Sequence, residues 1–400
     1  MQEMNYIVRE PLLDSKERVL GFELTWQQND AAGTRLPSNA LAEFTAAQLH
    51  DPESGWQLGD SMLFLEADPV SLSAAAIEAL PASSIVFTLN AMQLADAETM
   101  AAARLLRGKG FGIAVKYADL AGQEKGTLAI ASHIQIRFSS ADVAGHAKLY
   151  AALKQSSIRM VARQIGSWQE FDSCAALGLN AFIGNLYLTP RQDTKAKGLN
   201  PAQAMILQLM QLVKQNADIR RLEEILKRDA ALSYKLLRYI NSVGFGLGAE
   251  IQSLRHAVTM LGYSPLYRWL SLLLATASTV GSHSLMQAAI VRGRFAELIG
   301  QEFLPKNEAE NLFVTGMFSL LDRLLGIPME QVLETIQLSD AVSEALLTRS
   351  GVYGPFLALA EACEFNNGQV GPLAEALFIN ANQVNQAHMA ALAWAQSLKL

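Results

Sequence analysis

Six histidines punctuate the 400-residue chain: His50, His133, His146, His256, His283 and His388. Imidazole is the side chain best suited to ligate a transition metal or to move a proton near neutrality, so the neighbours of each decide what chemistry is open. Only His50 is followed by aspartate, and Pro52 comes directly after Asp51, which places the pair at a helix end rather than in a metal centre. His256 sits beside Ala257 and reads as a packing or capping partner. No H-E-x-x-H, P-loop or nucleophile-elbow spacing occurs. Gly244-Phe245-Gly246 is too short to cradle a phosphate and reads as a turn between helices. Cys174 and Cys363 lie in different halves, which predicts two reduced thiols of a cytosolic protein. Arg220, Arg221, Lys227, Arg228, Lys235 and Arg238 cluster in sequence, but Glu223, Glu224 and Asp229 interleave with them. That mixture predicts a solvated helix face, not a nucleic-acid surface.

The remaining chemistry must come from how elements gather dispersed side chains. At 50% hydrophobic residues the chain can build sizeable cores, and its length suits two or three domains. A formal charge of −6 gives no overall pull toward nucleic acid or anionic membrane. The start, MQEMNYIVRE, has no basic and apolar leader pattern. The apolar run Leu270–Val280 is too short to span a bilayer and predicts a core helix.

From Asn5 to about Pro190, short apolar runs alternate with helical stretches. The runs are Val19–Trp26, Met62–Glu66, Ile85–Leu89, Phe111–Val115, Ile134–Phe138, Arg159–Ala162 and Ala181–Tyr187, with helices such as Leu94–Lys109 and Ala141–Lys154 between them. Repeated βα units with continuous apolar strands predict an α/β domain with a parallel sheet, closed as a barrel or open. Either form puts chemistry at the C-terminal ends of the strands. Pro190 to Gly198 is polar and reads as a linker.

Beyond it the pattern is all helical. Asn200-Pro201 predicts an N-cap with proline at N1, and Ile206, Leu209, Met210 and Val213 form an inner stripe. Leu266, Trp269, Leu270, Leu273 and Leu274 form a second stripe; Leu312, Gly316, Leu320 and Leu324 form another. Between them runs LKRDAALSYKLLRYINSVGFGLGAEIQSLRHAVTMLG, residues 226–262. Asp229 caps a helix with Leu232, Leu236 and Ile240 on one face. A loop with Gly244, Gly246 and Gly248 follows Asn241-Ser242. Ser253 caps the next helix, Gly262 suits its C′ position, and Ser264-Pro265 opens a third with proline at N1. The order Asp229, Leu232, Leu236, Leu237, Asn241, Ser242, Ser253, Ala257, Leu261, Gly262 resembles the HDOD domain, an all-helical bacterial signalling module related to the HD phosphohydrolases. Ala230 stands where that family usually has proline.

Arg9-Glu10-Pro11-Leu12, followed by Gly21-Phe22-Glu23-Leu24-Thr25, resembles the opening of an EAL domain, the TIM-like (βα) barrel that hydrolyses cyclic di-GMP. A trimmed EAL domain ahead of an HDOD domain is a known pairing. The resemblance therefore implies a degenerate EAL-like barrel over residues 1–190 and an HDOD domain over 198–400. It also implies a position-by-position comparison with a centre that holds Mg²⁺ or Mn²⁺ through carboxylates. Glu23 keeps the first ligand position. Glu66 stands for the asparagine, Thr88 for the next glutamate, and Lys116-Tyr117 for the paired aspartates. Gln135 takes the place of the catalytic lysine, Arg163-Gln164-Ile165-Gly166 that of the last acidic stretch, and Ile183-Gly184 that of the glutamine-glycine. Arg9 keeps a phosphate-side position while Gln27 replaces the other arginine. An ammonium group among metal ligands repels a divalent cation, so Lys116 decides the reading.

The expectation is that Glu23 is an inherited barrel residue paired with a base such as Lys116. Arg9 is expected to be a surface or structural arginine. Neither half is expected to catalyse or to need a cofactor; the chain would act through protein partners in cyclic di-GMP-linked regulation. Alternatives of another kind are a cyclic di-GMP-binding effector and an active phosphodiesterase retaining Glu23, Glu66 and Asp119. No nucleic acid or membrane is expected as partner, and homo-oligomerisation is left open.

Overall fold

The computed structural model describes residues 5–28, 39–51, 56–116, 125–138, 143–191, 199–241, 251, 253–277, 283–336 and 338–398. Tyr117, Asp119, Ser242, the three loop glycines and the linker from residue 192 lie outside them. Two compact units result, one of Met1–Arg191 with Cys363–Gly371, the other of Gln192–Ala362 with Pro372–Leu400.

The first unit is a closed eight-stranded barrel. Its strands are β1 (Asn5–Leu13), β2 (Val19–Gln28), β3 (Met62–Glu66), β4 (Ile85–Asn90), β5 (Gly112–Lys116), β6 (His133–Arg137), β7 (Arg159–Arg163) and β8 (Phe182–Ile183). The helices between them are α1 (Ala40–His50), α2 (Ala74–Ala79), α3 (Ala91–Leu94), α4 (Ala97–Gly108), α5 (Lys125–Ile130), α6 (Val143–Leu153) and α7 (Trp168–Ala176). From β2 to β8 every neighbouring pair is parallel, and β1 closes the ring antiparallel to both β2 and β8. The predicted runs through Arg159–Ala162 become strands with small boundary shifts, whereas Ala181–Tyr187 yields only the two-residue β8, with a 3-10 turn over Leu186–Leu188 after it. β1 is an addition, hidden in sequence because Arg9-Glu10-Pro11 breaks its apolar character.

Leu12, Phe64, Val86, Ala114, Val161, Ala181 and Ile183 form one buried cluster inside the barrel. Gly21 belongs to the same wall for a steric reason. A Cβ there would stand 1.8 Å from the Met62 carbonyl oxygen on β3. His133 is buried, its Nδ1 2.9 Å from Ser132 Oγ and its ring edge-on to Phe64 at 5.2 Å. Burial pushes its pKa down from 6.5 to about 4, with Arg159 and Arg107 adding to the shift. Between those values only the unfolded chain takes up the proton, so acidification removes stability. At pH 5 the loss is about 2 kcal/mol. Urea midpoints at pH 7 and pH 5 should therefore fall further for the native chain than for His133→Phe; equal slopes would contradict the assignment.

The second unit is all helical. It contains α8 (Pro201–Lys214), α9 (Ile219–Leu226), α10 (Ala230–Ile240), α11 (Leu254–Leu261), α12 (Tyr263–Thr276), α13 (His283–Gly300) and α14 (Lys306–Phe318). There follow α15 (Leu321–Leu325), α16 (Met329–Thr335), α17 (Asp340–Thr348), α18 (Gly354–Ala362), α19 (Val370–Ala376, whose first residues fall in the barrel unit) and α20 (Ala381–Ser397). Asn200 caps α8 with a full capping box and Pro201 at N1. Asp229 accepts from the Leu232 N–H, and Ser253 accepts from the His256 N–H. Gly262 ends α11 at φ 85°, but Pro265 is the third residue of α12 and not its first; a first-turn proline loses no helical hydrogen bond. The stripe through Leu312 and Leu324 is broken between α14 and α15, with Leu320 at the join.

Asn241 closes the signature loop. Its side-chain amide donates to the Ile251 carbonyl and its oxygen accepts the Ile251 N–H, both at 2.7 Å. Ile251 is buried, so Asn241→Ala leaves two backbone groups without partners and should cost about 1–3 kcal/mol. Chemical denaturation of the two proteins measures it.

No helix among the described residues is long and apolar enough to cross a membrane. Cys174 and Cys363 are both buried free thiols, pushed up to about 12 by burial.

Candidate active site at the barrel mouth

Side chains alternate across a strand, so the residues two steps beyond the apolar layer share its inward face. Glu10 follows this rule from Leu12, Glu66 from Phe64, Thr88 from Val86, Lys116 from Ala114 and Arg163 from Val161. Glu23 lies opposite Glu10 in the register, and Gln135 opposite Lys116. The barrel thus collects the inward positions singled out in sequence at the C-terminal ends of its parallel strands.

At the centre stands Arg163, 6% exposed. Its Nη2 lies 2.5 Å from Glu23 Oε2 and 3.0 Å from Glu10 Oε2, and its Nη1 donates to Glu23 Oε1 at 2.9 Å. Gln135 Nε2 donates to the same Glu23 oxygen at 3.2 Å. A planar guanidinium matches a carboxylate edge with two donors, a geometry lysine cannot supply. Glu23 is fully enclosed. Burial raises its pKa above the ordinary carboxyl value, Arg163 pulls the other way, and the Glu10 charge adds to the rise. Lys116 pairs instead with Glu66, Nζ to Oε2 at 3.7 Å. The expected pairing of Glu23 with Lys116 is therefore corrected. A longer, forked donor reaches the buried carboxylate from β7, and the lysine turns to the exposed acid on β3.

Arg9 has the opposite parity on β1. It is 4% exposed, its guanidinium stacks over the Phe22 ring at 5.5 Å, and its Nη1 finds no hydrogen-bond partner among the described residues. It is an interior arginine and not a surface one. Thr88 is buried, with no partner for its hydroxyl among the described residues. Gln27 is engaged by the distant segment of this unit: its amide donates to the Phe365 carbonyl at 3.2 Å and its oxygen accepts the Val370 N–H at 2.9 Å. Next to the Arg163 cluster lies a cavity of about 310 Å³, bordered by Glu10, Gln164, Gly166, Ile183 and Asn185.

The EAL resemblance implies divalent metal at this mouth. The residues present do not fit it: both oxygens of Glu23 are held by Arg163 and Gln135, and Lys116 sits against Glu66. Among the described residues no three acidic, histidine or cysteine side chains are grouped to hold an ion. What the arrangement offers is the Lys116 ammonium at the rim and a sealed Arg163–Glu23 ion pair beneath it. Arg163 was the residue sequence reasoning undervalued. Its signal was an apolar strand ending in a charge, at the inward step shared with Lys116 and Gln135.

A model of the HDOD domain matches residues 199–331. Over 376 residues the chain is 28% identical to the cyclic di-GMP phosphodiesterase CdgJ of Vibrio cholerae, covering 90% of this chain and 84% of that one. It is 23% identical to the uncharacterized protein YuxH of Bacillus subtilis over 381 residues, 90% of this chain and 91% of that one. A standalone EAL protein from Vibrio cholerae, solved with cyclic di-GMP bound, aligns with 46% of this chain and 91% of its own at 14% identity and TM-score 0.37. The Vibrio phosphodiesterase overturns the expectation that the chain is no enzyme. With an eight-stranded barrel in the N-terminal half and an HDOD match over residues 199–331, the findings support the resemblance to EAL–HDOD two-domain proteins.

Proposed function

We propose that this protein acts on cyclic di-GMP as a phosphodiesterase, with the dinucleotide engaged at the C-terminal mouth of the barrel. The observation that carries the reading is the similarity, over nine-tenths of the chain, to a relative named for that activity. The mouth is compatible with such a substrate. Lys116 offers an ammonium suited to phosphodiester oxygens, and the neighbouring cavity gives a base room beside Gln164 and Gly166. Binding and orientation are the work assigned to these residues; no metal-borne step is derived from a mouth that does not fit the ions.

The test is chromatographic. The full chain is incubated with cyclic di-GMP under Mn²⁺, under Mg²⁺ and under chelator, and the linear dinucleotide is quantified. Formation of that product, reduced at least tenfold by Lys116→Ala, supports the proposal. Absence of product in all three conditions, with no heat of binding in calorimetry, would sink it.

A further inference from the structure

The helical unit holds a cavity of about 560 Å³, larger than the one beside the barrel site and unused by anything described so far. Five helices contribute its wall: the end of α8, the N-terminal halves of α12 and α14, the start of α17, and one face of α13. Its charge is uneven. Lys214, Arg268, Arg294 and Lys306 line it, against Glu297 and Glu310.

The way those charges pair sharpens the imbalance. Glu297, 2% exposed, is the single carboxylate serving two guanidinium groups. Arg268 grips it with both terminal nitrogens at 2.5 and 2.8 Å, and Arg294 Nη1 reaches the same carboxylate at 2.7 Å. The two guanidinium groups thus share Glu297 inside the wall, with the Glu310 charge also acting on Arg268, while exposed Lys306 adds a further positive charge at the rim. Glu310 accepts the hydroxyl of Ser264. The wall also carries an aromatic surface. The hydroxyl of half-buried Tyr263 donates to the Ala217 carbonyl at 2.7 Å, which fixes the ring at the cavity edge.

A roomy pocket, net cationic, with a held aromatic ring, is matched to an anionic ligand that has a flat body. We propose that this cavity binds a nucleotide, its phosphates between Arg294 and Lys306 and its base against Tyr263. The site lies wholly within the helical unit and stands independently of the barrel's activity.

Fluorescent N-methylanthraniloyl GTP and ATP, titrated into the full chain at low salt, are the probes. The expected result is saturable binding that weakens at least tenfold in Arg294→Gln and severalfold in Lys306→Ala, and weakens as salt rises. Lys306→Ala removes only an exposed side chain, so its melting midpoint should match the native protein and separate lost binding from lost folding. Lys116→Ala, in the barrel, should leave the probes' affinity unchanged. Three results would each overturn the proposal: no saturable binding of either probe; loss of binding in Lys116→Ala but not in Lys306→Ala; or competition by inorganic phosphate as strong as competition by unlabelled nucleotide.

Discussion

Replacing Arg163 by alanine is expected to destabilise the barrel by about 3–5 kcal/mol, because it strands a buried carboxylate without its counter-ion. Glu23 would keep only the Gln135 amide, and Glu10 would remain opposite it in the register. The sign of the pH dependence follows. Burial already raises the Glu23 pKa in the folded chain, and loss of Arg163 removes the main opposing pull. A carboxyl raised on folding stays protonated where the unfolded chain has released its proton, so the folded state is penalised as pH climbs past the ordinary value of 4.5. The deficit of Arg163→Ala against the native protein should be small near pH 4 and grow toward pH 7. Denaturant unfolding at several pH values reads this directly. A paired replacement, Glu23→Leu with Arg163→Met, should recover most of the loss, since a buried ion pair exchanged for apolar groups of similar volume is often neutral. A flat difference across pH would mean that Glu23 is not the stranded group.

The second large effect belongs to the helical unit. A Cβ on Gly316 of α14 would stand 2.6 Å from the Gly293 Cα of α13 and 2.7 Å from the Arg292 carbonyl carbon. Both obstacles are backbone, so no rotamer change relieves them, and the two helices must separate. Gly316→Ala gains about 1 kcal/mol in intrinsic helix propensity, yet it should destabilise the protein, and Gly316→Leu should cost at least about 3 kcal/mol. The opposition of signs makes the alanine variant decisive. A rise in its melting temperature would show that the close approach is not held in solution.

These two sites also show what could and could not be read from the chain. Strands β3 to β7 were legible because each is a run of apolar residues at a regular interval, and the caps Asn200, Asp229 and Ser253 were legible because capping is local. The inward positions at the mouth were reached through resemblance, and alternation along the strands explains why they converge. The partner of Glu23 was not legible. Arg163 is 140 residues away on β7, not adjacent to β2 in the sheet, and only barrel closure brings them together. β1 was concealed by its own proline and charges, though Arg9 and Glu10 point to opposite faces and serve different ends. The helical cavity was out of reach for the same reason as Arg163: its wall is assembled from residues on five separate helices.

The stretch Cys363–Gly371 has a practical consequence for anyone dissecting the chain. It belongs to the barrel unit although some 170 residues of the other unit precede it, and its backbone receives or supplies hydrogen bonds at the Arg9 N–H, the Gln27 amide and Asn185. A fragment stopped at Arg191 would therefore expose strand-end amides that are matched in the intact molecule. Work on either half in isolation would begin from a protein missing part of its own wall, and gene-level deletions downstream of residue 360 would reach back into the N-terminal half.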